Sequence, residues 1–233
     1  MFRVIFLLSF ILICQNTFAS HVMGGEISYK NLGGTNYQFE LIFYRDCNGA
    51  DVNPVSEQIK VWNHPSLSSI TVSFVSREDL SPTCSPVVGS PGPLLCGSGS
   101  NGGNGAGAVE KVIYRSAAIS LTGTPPSAGW IFTYENFSRS NTVSNLMNPA
   151  NYGITLAAKI FHLDTPDDSP VFFQDPHFVS CAGTPYTFNG NAIDPNLDSL
   201  VFSFGIPYNN IQGASYNPPV DPIPVPFEIG FSV

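Results

Sequence analysis

Tyr37-Gln38-Phe39-Glu40-Leu41-Ile42-Phe43-Tyr44 is the stretch that decides the fold class. Tyr37, Phe39, Leu41 and Phe43 recur at every second position, with the polar Gln38 and Glu40 between them. Successive side chains of an extended chain point to opposite faces, so this period of two describes a strand with one apolar and one polar face. The same period returns in Ile70, Val72 and Phe74, in Trp130, Phe132 and Tyr134, and in a longer stripe of Tyr152, Ile154, Leu156, Ala158 and Ile160. Turn formers bound each run, as in Asn31-Leu32-Gly33-Gly34, Cys47-Asn48-Gly49 and Thr124-Pro125-Pro126. Short strands with this punctuation predict an all-β protein, a sandwich or barrel. No window keeps a helical period over the roughly ten to twelve residues that separate a helix from a buried strand. Trp62 and Trp130 both sit in alternating runs and are read as core.

Composition points the same way. Of 233 residues, 21 are glycine and 20 proline, and charged residues are 11%, against roughly 25% in an average domain. Few charges and many turn formers disfavour helices. The 43% hydrophobic and 12% aromatic fractions supply a core and argue against wholesale disorder. A net charge of −8 argues against a basic nucleic-acid-binding surface.

Arg3 precedes an apolar run over residues 4–14, which gives way to Gln15-Asn16-Thr17-Phe18-Ala19, with small residues at the −3 and −1 positions of a cut after Ala19. That is the pattern of a signal peptide at 1–19, and it implies a secreted or cell-surface protein. A spanning anchor needs about 20 apolar residues; no stretch has them, so the chain is read as not membrane-spanning.

The mature chain keeps Cys47, Cys84, Cys96 and Cys181. An exported chain can hold disulfides, and four cysteines allow three complete pairings. Cys84 and Cys96 bracket a Pro/Gly-rich loop, and loop closure favours that pair; the pairing of Cys47 and Cys181 stays open. Zinc is the competing use, but there is no CxxC spacing, and His21, His64, His162 and His177 match no ligand motif.

Residues 87–108 are Gly-rich, and no Lys-Ser or Lys-Thr closes them into a phosphate-binding loop. They are read as a mobile inter-strand connection. Residues 163–170 are polar, acidic and proline-bearing, and mark a boundary between domains at 20–165 and 166–233. Beyond it, Asp194, Asn196 and Asp198 alternate ahead of an apolar run ending at Phe204. Alternate oxygen-bearing residues can turn hard ligands toward one Ca²⁺. The competing reading is an Asx-type turn before a strand. No other cofactor is expected.

Catalytic constellations are missing: there is no GxSxG and no HExxH. Asp46, Asp167 and Asp168 read as turn acids, and Arg45-Asp46 as closing a turn by hydrogen bonds and charge pairing. The expectation is a protein without enzyme activity.

His21-Val22-Met23-Gly24-Gly25-Glu26-Ile27-Ser28-Tyr29, followed by Phe39-Glu40-Leu41-Ile42-Phe43-Tyr44-Arg45-Asp46-Cys47-Asn48-Gly49, resembles the mature N-terminus of a known family. These are the gliding-motility-associated, type IX-secreted large surface proteins of Bacteroidetes, with a pattern near H-x-M-G-G-E-[IL]-x-Y and then Y-R-D-C-x-G. The likeness continues through Gly129-Trp130-Ile131-Phe132, Asn145-Leu146, Asn148-Pro149 and Ser169-Pro170-Val171-Phe172. Asp194-Pro195-Asn196-Leu197-Asp198-Ser199-Leu200-Val201-Phe202-Ser203 resembles the D-P-D-G-D-S-L-x-Y-S turn of cadherin-like and Ig-like repeats.

The resemblance implies an N-terminal β-sandwich followed by a partial Ig-like/cadherin-like β-sandwich. The second is shorter than the roughly 100 residues of an Ig-like fold, so it is read as truncated, with further domains of the same chain expected. The function implied is a non-enzymatic adhesion module that binds a cell-surface or extracellular glycan or protein. The Gly-rich loop and the loops around Tyr208 and Tyr216 are its candidate surfaces. The alternative is an accessory carbohydrate-binding region of a secreted polysaccharide-active enzyme. Two departures matter. Similar proteins carry cysteines where this chain has Ser138-Arg139-Ser140 and Gly205, and Asn196-Leu197 replaces their Asp-Gly, which weakens the carry-over of calcium.

Overall fold

The computed structural model describes residues 21–52, 55–82, 92–137, 139–161, 167–176, 185, 192–211, 216–218 and 220–232. The signal peptide, Cys84, Cys181, His162, His177 and the boundary at 165/166 lie outside them.

The protein is all-β. Strands β1 (Val22–Gly33), β2 (Asn36–Asp46), β3 (Ser56–Trp62), β4 (Ser69–Asp79), β5 (Val109–Ser116), β6 (Ile119–Ser120), β7 (Trp130–Asn136) and β8 (Ile154–Ile160) form one sheet. Its order is β1-β2-β5-β4-β3-β7-β8, with β6 paired to β2, and every pairing is antiparallel. Among the described residues the one helical element is a 3₁₀ turn at Pro149–Asn151. No helix among them is long and apolar enough to cross a membrane.

The period of two dictates the packing. Tyr37, Phe39, Leu41 and Phe43 on β2 are all buried, as are Ile70 and Val72 on β4 and Trp130, Phe132 and Tyr134 on β7. The Phe39 and Phe132 rings lie 4.6 Å apart, and Phe43 stacks on Tyr134 at 6.0 Å. Three strands separate β2 from β7 in the sheet, so the sheet has curled until its apolar face meets itself. Register shifts between Val22 and Gly24 and between Phe74 and Ser76 place an extra residue in β1 and β4, and such bulges bend a strand and increase its twist.

Gly25 marks the seam where the sheet nearly closes. A Cβ there would sit 2.6 Å from the Ile42 carbonyl oxygen and 2.7 Å from Leu156 Cδ1 of β8. Further along, the Tyr29 hydroxyl reaches the Lys159 carbonyl across the same seam at 3.4 Å. The outer edge of β1 is capped by the chain that follows β8. Ser169 N–H donates to Tyr29 O at 2.9 Å, Tyr29 N–H donates to Ser169 Oγ at 2.8 Å, and Asn31 N–H donates to Asp168 Oδ1 at 2.6 Å.

Beyond residue 166 the structure gives a two-residue ribbon, β9 (Val171–Phe172) with β10 (Ala192–Ile193). A second segment packs on β8, where Thr155 Oγ1 donates to Asn209 O and Arg139 Nη2 to Tyr208 O. The apolar strand expected up to Phe204 is corrected. Among the described residues no ladder partner meets 199–204, and Val201 and Phe204 are 95% and 89% exposed. Alternating apolar residues favour an extended chain, but a strand exists only once a neighbour takes its backbone hydrogen bonds.

Trp62 is a second correction. Ile59 and Val61 point inward and are buried, which puts Gln58, Lys60 and Trp62 on the outer face of β3. Trp62 is half-buried there, its ring perpendicular to that of Tyr216 at 4.8 Å, with its indole N–H donated to Thr133 Oγ1 at 2.8 Å. Trp130 is core, as expected.

Candidate functional site

The Tyr44-Arg45-Asp46-Cys47-Asn48-Gly49 segment ends β2 and organises one end of the sandwich. Val22 pairs with Arg45, and the Asp46 N–H donates to His21 O at 2.7 Å. The two halves of the N-terminal motif are therefore neighbours. The Tyr44 hydroxyl donates to Glu26 Oε1 at 3.2 Å. Asp46 Oδ1 accepts from the Asn48 N–H at 2.9 Å, and Oδ2 accepts from Ser140 Oγ at 3.2 Å. Asp46, the last residue of β2, closes the following turn, its carbonyl accepting from the Gly49 N–H at 3.0 Å, whereas Arg45 still lies within the strand and pairs its charge elsewhere.

Arg45 is wholly buried. Its Nη1 donates to Glu110 Oε1 at 2.7 Å and to Asp51 Oδ1 at 3.1 Å, and its Nη2 to Gly99 O at 2.9 Å and Cys47 O at 3.3 Å. Arg77 joins from β4, 2.6 Å from Asp51 Oδ1 and 3.5 Å from Glu110 Oε1. Burial raises the Glu110 carboxyl by more than Arg45 and Arg77 pull it back. Burial also works against the charged form of Asp51, but hydrogen bonds from Arg77 and the Val52 N–H hold its carboxyl below the usual range. Nothing in the sequence marks Asp51, Arg77 and Glu110 as partners, because only the sheet order brings β2, β4 and β5 together.

Above this knot lies a disulfide between Cys47 and Cys96, 49 residues apart. It replaces the expected Cys84–Cys96 pair. Closure entropy grows slowly, about 0.6 kcal/mol per doubling of loop length, so tertiary position outweighs proximity in sequence. Gly103 N–H donates to Cys47 O at 2.9 Å, Asn101 N–H to Gly49 O at 2.9 Å, and Asp51 N–H to Ser100 Oγ at 2.9 Å. The described part of the Gly-rich loop, from residue 92 on, is thus stapled to the β2 turn.

The alternating acids sit at the opposite reach of the chain, beside the β1 edge. Carboxylate oxygens of Asp194, Asp198 and Asp167 lie within 4.8 Å of one another. Burial, then the charges of Asp194, Asp198 and Asp168, push the Asp167 carboxyl up. Asn196 is turned away to other work: its Oδ1 accepts from the Asp168 N–H at 2.8 Å. Asp194 Oδ1 accepts from the N–H groups of Asn196 at 2.8 Å and Asp198 at 3.2 Å, which is an Asx-type turn. Of the three residues expected as calcium ligands, two converge, and Asp167 joins them. Three carboxylates binding through one oxygen each supply three of the six to eight oxygens that calcium takes.

The remaining expected surfaces are near one another. Tyr216 leans on Trp62, and the segment carrying Tyr208 packs on β8. No protein-family model, curated protein sequence or solved structure matches the chain.

Proposed function

We propose that the protein is a non-enzymatic adhesion module, secreted or held at the cell surface, acting as the leading part of a larger gliding-associated surface protein. One observation carries this reading. A disulfide and a buried guanidinium fix a long, polar Gly-rich loop to one end of a curled antiparallel sheet. Binding surfaces are commonly loops positioned by a rigid scaffold, and disulfides persist in exported proteins. The resemblance of the His21 to Tyr29 and Tyr44 to Gly49 segments supports the same reading.

The test is surface labelling of the source cell with a membrane-impermeant biotin reagent, followed by an attachment assay of beads coated with the mature protein. Labelled protein from intact cells and retention of the beads are expected. Recovery only from lysed cells refutes export, and beads that behave as albumin-coated controls refute adhesion.

Trp62 supports a second reading, the accessory carbohydrate-binding region. An indole on the outer face, perpendicular to the Tyr216 ring at 4.8 Å, belongs to an aromatic pair of the kind that meets sugar rings. Under this reading Trp62→Ala abolishes retention on polysaccharide while the melting curve is kept.

A further inference from the structure

The sheet is forked between β3 and β7. β3 pairs with β4 from Ser56 to Lys60, and β7 pairs with β8 through Asn136, yet β3 and β7 pair with each other only over Lys60–Trp62. Val61 N–H bonds toward β4, so by the alternation of an antiparallel ladder the main chains of Gln58 and Glu135 face the gap. The strands part there and leave an open cleft of ≈ 600 Å³, within the size range of ligand sites.

Its lining is selective. Glu57 shares the inward parity of Ile59 and Val61; it is half-buried, and burial raises its carboxyl. Among the described residues no hydrogen bond or ion pair meets that carboxylate. The Tyr134 hydroxyl accepts from Asn136 Nδ2 at 3.1 Å, and among the described residues no further hydrogen bond engages its proton or Asn136 Oδ1. Gln58 Nε2 donates to Thr71 Oγ1 at 2.8 Å, leaving its oxygen as an acceptor. Lys60 is already neutralised by Glu135 at 2.7 Å. At the rim stands the Phe137 ring, 43% exposed.

We infer that this cleft is a binding site for a neutral saccharide residue; the inference rests on the adhesion reading and names its ligand class. A sugar offers what the lining lacks: several hydroxyl donors for Glu57, Asn136 and Gln58, an acceptor for the Tyr134 proton, and an apolar C–H face for Phe137. An anion is disfavoured by the uncompensated Glu57. The outer-face Trp62 follows Lys60 along the same strand face, in position to extend the surface for a longer glycan.

The mature protein is tested on an array of neutral, acidic and amino oligosaccharides, with polylysine as a separate probe. Retention on at least one neutral glycan is expected, weakened tenfold or more in both Glu57→Gln and Phe137→Ala with melting curves unchanged. Glu78→Gln, on β4, keeps wild-type retention. Absence of neutral-glycan binding, or binding indifferent to both cleft variants, overturns the site. Binding to polylysine alone, lost in Glu57→Gln, overturns it in favour of an amine pocket. Bead adhesion that survives both variants overturns this cleft and leaves the adhesion reading standing, whereas wild-type beads that never adhere refute that reading by itself.

Discussion

The Arg45 guanidinium donates to the Glu110 carboxylate at 2.7 Å with its own side chain entirely out of solvent. A buried pair costs desolvation on both sides, and its removal is asymmetric: taking away one partner strands the other's charge. Arg45→Ala leaves Glu110 facing only the longer contact to Arg77 and releases Gly99 O and Cys47 O. A loss of about 3–5 kcal/mol is expected, read as a lower denaturant midpoint. Arg45→Lys keeps the charge but not the planar fork that serves two carboxylates and two carbonyls, so it falls between. Equal midpoints for Arg45→Lys and wild type would show that charge alone holds the loop.

The Cys47–Cys96 cross-link fixes the Gly-rich loop to the same knot. Replacing both cysteines by alanine is expected to cost about 2–5 kcal/mol and to open residues 97–105 to proteolysis, because the remaining ties there are individual hydrogen bonds, among them Arg45 Nη2 to Gly99 O and Asn48 Nδ2 to Gly105 O. Cys84→Ala leaves this cross-link in place. Peptide mapping without reduction reads the connectivity directly: a linked pair of peptides carrying Cys47 and Cys96 is expected, and one carrying Cys84 and Cys96 refutes the arrangement.

Much of the fold is legible in the chain because the strand period is local. Tyr37 through Phe43 declare their inner face with no knowledge of their partners. Trp62 is misread for the same reason: alternation gives the two faces of β3 but not which aromatic falls on which, and only Ile59 and Val61 together fix the parity. The Asp194 turn is legible down to its hydrogen bonds, since an Asx turn spans a few residues. Asp167 is not, because its approach to Asp194 and Asp198 depends on how the chain runs along the β1 edge. The Arg45 knot and the Cys47–Cys96 pair share that limit, being set by the order of strands in the sheet.

Gly24 and Gly25 are adjacent in the motif and unequal in structure. A Cβ at Gly24 meets nothing within 4 Å, whereas one at Gly25 collides with the Ile42 carbonyl and the Leu156 side chain. Gly25→Ala is expected to destabilise by about 1–3 kcal/mol, the usual cost of overpacking. Gly24→Ala is expected to be close to neutral. Thermal melts of the two variants check the difference, and equal losses would place the seam elsewhere.

Four carboxyls, those of Glu26, Glu57, Glu110 and Asp167, are raised, in each case first by burial. A raised carboxyl binds its proton more tightly folded than unfolded, so stability falls as pH rises through the window above its unfolded value. Asp51 and Asp79 are held low by hydrogen bonds that overcome burial; their contribution is present at neutral pH and is lost as pH falls through their folded values. The two sets together place the stability maximum in the mildly acidic range, above about pH 4 and below neutrality. Melting temperatures across pH 3 to 8 check this, and a monotonic rise toward pH 8 contradicts it. Glu57→Gln is expected to flatten the alkaline side of the profile.

Leu197 is held at φ 68, in the left-handed region, by the turn in which its N–H donates to Asp194 O at 3.1 Å. A non-glycine residue there costs about 1–2 kcal/mol, and at 89% exposed the leucine recovers little of this by packing. The cadherin-like and Ig-like turns that the segment resembles place glycine at this position. Leu197→Gly removes the steric cost and adds the larger chain entropy of glycine in the unfolded state, so a net gain of about 0.5–1 kcal/mol is expected where this segment melts with the sandwich. A loss instead would mean that the leucine side chain has a contact in solution, and the exposed apolar run that follows it, through Val201 and Phe204, would be where to look for that contact.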